Sequence, residues 1–87
     1  MKAPREDILQ RLRKIEGQVR GLQRMVEEDR YCLEILTQVA AARAALDSVG
    51  LKVLDGHARG CLASAIRSGQ AEESIDELLA ALERYMK

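Results

Sequence analysis

Cys32, His57 and Cys61 carry the thiols and the only imidazole of this 87-residue sequence. His57 and Cys61 are four residues apart, so on a helix they project from one face about 6 Å apart along the axis. A thiolate and an imidazole at that spacing can bind one metal ion together. Cys32 lies 25 residues before His57, and on a continuous helix that is about 38 Å away. Within one helix it cannot join them. In an antiparallel two-fold dimer, however, Cys32 of one chain can stand beside His57 and Cys61 of the other, and symmetry then makes two such sites.

Two thiolates and one imidazole form a soft, three-coordinate set that suits Cu(I). Structural Zn(II) normally takes four ligands, and Ni(II) prefers more nitrogen or oxygen donors. A plainer account fits the same residues: an interface histidine with satisfied hydrogen bonds and two buried thiols. Two cysteines do not make a disulfide framework, and in a reducing cytosol they are expected to be free.

The elements that must position these residues are helices. Ile8, Leu12, Ile15, Val19, Leu22 and Val26 step by four and three alternately, a heptad seam that predicts a helix from about 5 to 28. Pro4 suits its first turn, and Glu6 and Asp7 complement its dipole. Glu27, Glu28 and Asp29 place like charges at its end, and Asp29 is expected to cap the next helix. That second helix begins near Tyr31, with Leu33, Leu36, Val39, Ala40, Leu46, Val49, Val53 and Leu54 near one face. It is expected to continue to about Arg67. Gly50, Gly56 and Gly60 weaken it locally and mark a kink or a close approach. Gly69 fits a left-handed cap. A third, shorter helix covers about 71–86, with Ile75, Leu78, Leu79, Leu82, Tyr85 and Met86 on its apolar side.

The expected fold is therefore all-α: one domain over 1–87, a three-helix protomer with a long second helix and a short third. A second helix of about 38 residues spans on the order of 55 Å, and the first covers only part of it. The uncovered apolar surface calls for another chain, most simply an antiparallel four-helix-bundle dimer.

Lys and Arg total 14, as do Asp and Glu, so the net charge is zero. The distribution is uneven: residues 1–24 carry seven basic and three acidic side chains, and residues 70–87 carry two and five. A basic segment of this kind is either a polyanion-binding face or a solvated helix face. The absence of Trp and Phe weakens any reading that needs base-stacking platforms. There is no run of 18 apolar residues, and the N-terminus lacks a signal-peptide core, so a cytoplasmic protein without a membrane partner is expected.

Arg11-Leu12-Arg13-Lys14-Ile15-Glu16-Gly17-Gln18-Val19-Arg20-Gly21-Leu22, followed by Met25 to Cys32 and by Val53-Leu54-Asp55-Gly56-His57-Ala58-Arg59-Gly60-Cys61, strongly resembles the CsoR/RcnR family of metal- and reactive-species-responsive repressors. The resemblance covers essentially the whole chain. It implies a dimer of three-helix protomers, usually paired into a flat homotetramer, that represses transcription without a helix-turn-helix. Cys32, His57 and Cys61 match the Cys-His-Cys pattern of the family's Cu(I) sensors. Tyr31 and Glu77 match the pair that links the metal-bound histidine to the third helix there; outside that match they read as an interface Tyr and a solvated Glu. For operator DNA the resemblance points to Arg11, with Arg13, Lys14, Arg20 and Lys52 as weaker candidates. Some family copper sensors carry a basic residue where Leu51 stands; this chain departs from that pattern there, and Lys52 is only its neighbour.

The resulting expectation is a Cu(I)-responsive repressor that holds operator DNA when metal-free and is released on Cu(I) binding. The alternatives are a thiol-based persulfide or redox sensor using Cys32 and Cys61, and a metal-buffering or structural bundle without DNA function. No nucleophile–base pair or glycine-rich phosphate loop points to an enzyme.

Overall fold

The computed structural model describes residues 4–86; of the domain expected over 1–87, residues 1–3 and 87 lie outside the described part. It is helical throughout, with α1 over Arg5–Glu27, α2 over Cys32–Gly56, a π-helical segment over His57–Leu62, α3 over Ala63–Arg67 and α4 over Ala71–Tyr85. No strand occurs among the described residues.

The expected second helix is thus one helical rod from 32 to 67, interrupted by a π-helical turn. Backbone angles remain helical at His57, Leu62 and Ala63, so the rod widens without breaking. Gly56 immediately precedes the widening and Gly60 lies within it, where their conformational freedom makes the wider turn less costly.

Both ends of the rod are set by local chemistry. At its C-terminus Gly69 has φ +82°. Gln70 N–H donates to the Ala65 carbonyl at 2.8 Å and Gly69 N–H to the Ile66 carbonyl at 3.3 Å, the paired bonds of a Schellman cap. The same motif ends α1. There Arg30 N–H donates to the Met25 carbonyl at 3.0 Å and Asp29 N–H to the Val26 carbonyl at 3.2 Å, with Asp29 at φ +54°. Asp29 therefore closes α1 and does not cap α2, whose N-cap position is Tyr31. A short polar residue tolerates the left-handed region better than its neighbours would.

The rod is the spine of the molecule. α1 returns along its first half, packing Ile8 and Ile15 against Ala45 and Val49. α4 returns along its second half, and Tyr85 reaches Asp47 and Gly50. The molecule measures 57 × 27 × 13 Å, and its smallest dimension is about that of a single helix. A plate one helix thick has no interior. Only Ile8, Ile15, Ala42 and Val49 form a buried apolar core, and fifteen large hydrophobic side chains among the described residues stay exposed.

The two faces of the plate differ. At 3.6 residues per turn, Asp7, Arg11, Lys14 and Gln18 lie to one side of the Ile8–Ile15 stripe, and Leu12 and Val19 lie to the other. On α2, Ser48 and Lys52 flank the Ala45–Val49 contact on the polar side. Val39, Leu46 and Val53 flank it opposite, and with Leu12 and Val19 they are exposed. One face is polar and basic, and the other is apolar.

Candidate functional site

Cys32 opens α2, and His57 and Cys61 lie on the π-helical segment. Both thiols are exposed, and His57 is half-buried. Because α2 runs unbroken from 32 to 56, the separation of about 38 Å between Cys32 and His57 follows from the helical rise. The same periodicity places the two residues within about 20° of each other around the rod, on the side of Leu46 and Val53. Cys32 and His57 therefore both belong to the apolar face. No three His, Cys, Asp or Glu side chains gather at a metal-binding spacing among the described residues of one chain.

Glu77 lies on α4 and faces the same groove as His57. The two line one groove of about 590 Å³ with Leu54, Leu78, Leu82 and Tyr85, bounded by the spine and α4. Tyr31 sits at the other end, next to Cys32, and is exposed. The pair expected around the histidine is thus split in the same way as the ligands: Glu77 comes with His57, and Tyr31 with Cys32. An ion pair from Arg59 Nε to Asp55 Oδ1 at 2.8 Å spans the junction between α2 and the π turn, and it raises the Arg59 pKa.

The polar face gathers three of the five expected DNA contacts. Asp7, Arg11 and Lys14 line a groove of about 450 Å³ with Gln10, Gln18 and Ser48. Arg11 Nε donates to Asp7 Oδ1 at 3.2 Å, and Lys52 Nζ lies 3.2 Å from Asp7 Oδ2. These partners, Lys52 foremost, hold the Asp7 carboxyl below the usual carboxylate range, against a smaller opposing effect of burial. Arg13 and Arg20 are exposed on α1 and do not line this groove.

Sequence reasoning missed two features. Asp7 is one; its four-residue spacing to Arg11 was a readable signal, whereas its contact with Lys52 depends on how α1 lies on the spine. The other is Tyr85, whose hydroxyl donates to Asp47 Oδ1 at 3.2 Å and whose ring occupies the space that a side chain at Gly50 would fill. Burial of that hydroxyl, with the Asp47 charge beside it, raises the phenol pKa.

An all-helical plate with soft donors on its apolar face and a basic groove opposite is a protomer suited to assembly and to binding a polyanion. Residues 4–84 match the family described as metal-sensitive transcriptional repressors. The chain is 49% identical over 83 residues to the copper-sensing transcriptional repressor CsoR of Bacillus subtilis, covering 95% of this chain and 82% of that one. Its fold matches a crystal structure of the copper-sensing repressor CsoR with Cu(I) from Geobacillus thermodenitrificans, with a TM-score of 0.91 and 50% identity over 94% of this chain and 85% of the other. It also matches the nickel-responsive transcriptional regulator InrS, with a TM-score of 0.85 and 41% identity over 98% and 96% of the two chains. The chain belongs to the metal-sensitive transcriptional repressor family. The resemblance read from the RLRKIEGQVRG stretch is borne out, as is the all-α fold.

Proposed function

We propose that this repressor responds to Cu(I), held by Cys32 of one chain with His57 and Cys61 of a second. The observation that carries the reading is the donor set itself: two thiolates and the sole imidazole, on one face of a rod that keeps them apart within a chain. Soft donors at low coordination number favour Cu(I) over Ni(II), whose preference for nitrogen and oxygen this chain serves with a single histidine. The naming of relatives as copper-sensing and the Cu(I)-bound neighbour agree with this choice. The nickel-responsive neighbour makes Ni(II) the metal to test against it.

A second copy would cover the apolar face, and two such dimers would make a tetramer. Operator DNA would lie on basic side chains, Arg11 first, with Lys14 and Lys52 beside it and Arg13 and Arg20 as further contacts. Such contacts act through phosphate neutralisation and counterion release. No described helix is long and apolar enough to cross a membrane, which fits a repressor working beside DNA in the cytoplasm. Regulation requires that metal bind the two conformations unequally, and DNA must then weaken metal binding by the same factor.

A second reading keeps the repressor and changes the inducer. Both thiols are exposed, so a disulfide or polysulfide bridge between Cys32 and Cys61 of different chains would be a thiol switch. A DNA-binding titration on the upstream region, run in parallel with Cu(I), Ni(II), Zn(II), formaldehyde and polysulfide, separates these readings. Release by Cu(I) at the lowest concentration supports the proposal. Release by polysulfide with indifference to Cu(I) selects the thiol switch.

A further inference from the structure

The polar face contains a carboxylate in the middle of its cations. Asp7 stands between Arg11 and Lys52, one oxygen to each, both at 3.2 Å. Lys14 lines the same groove. The three paired groups come from two elements, α1 and the spine, so the arrangement is tertiary and not a pattern of one helix. A carboxylate that offers one oxygen to a guanidinium and the other to an ammonium presents much the same acceptor geometry as two oxygens of a phosphate.

We propose that Asp7 is an internal phosphate mimic that restrains sequence-independent DNA binding by this face. The inference rests on the assignment of DNA to the basic groove. With Asp7 ionised, Arg11, Lys52 and Asp7 together contribute one net positive charge; with Asp7 neutral they contribute two. DNA phosphate must compete with the carboxylate for Arg11 and Lys52 and must also approach its negative charge. The pairs themselves are exposed, with side chains about two-fifths accessible, and exposed ion pairs hold their partners only weakly. Loss of the pairing geometry in a variant therefore matters less than removal of the charge. Because phosphate contacts carry no base information, the restraint lowers affinity for every duplex by a similar factor, operator included.

The test uses Asp7→Asn, Asp7→Glu, Glu6→Gln and Arg11→Ala in the full chain. Each is titrated by fluorescence anisotropy onto the upstream region and onto a mixed-sequence duplex, over a series of salt concentrations. Glu6 stands in the same first turn of α1 and makes no ion pair among the described residues, so Glu6→Gln controls for the helix dipole and for total charge. One additional neutralised phosphate steepens the slope of log affinity against log salt by about 0.9, worth about fivefold in affinity near 0.15 M salt. Asp7→Asn is expected to show both changes on both duplexes. Asp7→Glu, which keeps the charge, stays close to wild type, as does Glu6→Gln. Arg11→Ala weakens binding and flattens the slope. An Asp7→Asn protein of unchanged or reduced affinity, with DNA binding otherwise intact, overturns the restraint. So does an equal gain from Glu6→Gln, or an Arg11→Ala protein that binds as well as wild type. A wild-type protein that binds neither duplex at low salt overturns the assignment of DNA to this groove, and the restraint with it.

Discussion

Tyr85 closes over Gly50: the point where a Cβ would stand at Gly50 is 2.9 Å from Tyr85 Cζ and closer still to the hydroxyl oxygen. Tyr85 as a whole is 60% exposed, yet its hydroxyl end is tucked against the spine and donates to Asp47. This contact holds the end of α4 beside the groove that contains His57 and Glu77. Gly50→Ala is expected to expel the ring while improving the helix by up to about 1 kcal/mol, so global stability changes little. The readout is alkaline titration of tyrosine absorbance. Burial and Asp47 raise the Tyr85 pKa, so the wild-type fold is favoured while the phenol is neutral and loses that contribution as pH rises through the elevated value. In Gly50→Ala, Tyr85 should ionise at lower pH than in wild type. An unchanged titration curve would show that the ring does not depend on this gap.

Asp29 holds a left-handed conformation, φ +54°, at the end of α1 and adds a third negative charge there, after Glu27 and Glu28. Asp29→Gly removes the steric cost and one unfavourable charge at a helix C-terminus. Stability should rise by about 0.5–1 kcal/mol in urea unfolding at matched protein concentration. A loss of stability would mean that the Asp29 side chain contributes more than its backbone strain costs.

Because Cys32 and His57 share a rod but not a neighbourhood, metal binding should require two chains, with one ion per protomer. Mixed dimers carrying Cys32→Ala in one chain and Cys61→Ala in the other are expected to keep one intact site and lose one, halving Cu(I) stoichiometry at high affinity. Full-strength binding by a monomer would refute the split site.

Under the proposed function, His57 is expected to separate metal binding from the response to it. Two thiolates alone can hold Cu(I), so His57→Ala should lower affinity without abolishing it. The second ring nitrogen of a metal-bound histidine normally finds a partner in the surrounding protein, and Glu77 lines the same groove. The His57→Ala protein is therefore expected to bind copper and yet stay on DNA, with Glu77→Ala showing a weaker form of the same defect. Competition binding with a Cu(I) chelator, paired with operator release, reads both properties. If copper still drives His57→Ala fully off the operator, the coupling does not pass through this residue.

Helix positions and the family motif were legible in the sequence, as were the residue types and spacing of Cys32, His57 and Cys61 on which the proposed site rests. They depend on local periodicity and on residue type, and a three-four repeat or a four-residue spacing is written directly in the chain. The left-handed cap at Gly69 was equally plain, because few other residues take that backbone conformation at low cost. The tertiary structure decided the rest. That the long helix widens into a π turn at His57–Leu62 depends on a balance of backbone hydrogen bonds that two glycines permit but do not dictate. That Asp29 ends one helix and does not begin the next depends on the direction in which the chain leaves α1. That Asp7 meets Lys52, and Tyr85 meets Gly50, depends on how α1 and α4 lie along the spine, a matter of side-chain packing between residues more than thirty positions apart. Spacing along one helix could not foretell these contacts, since each brings together two elements whose relative placement only the packed plate defines.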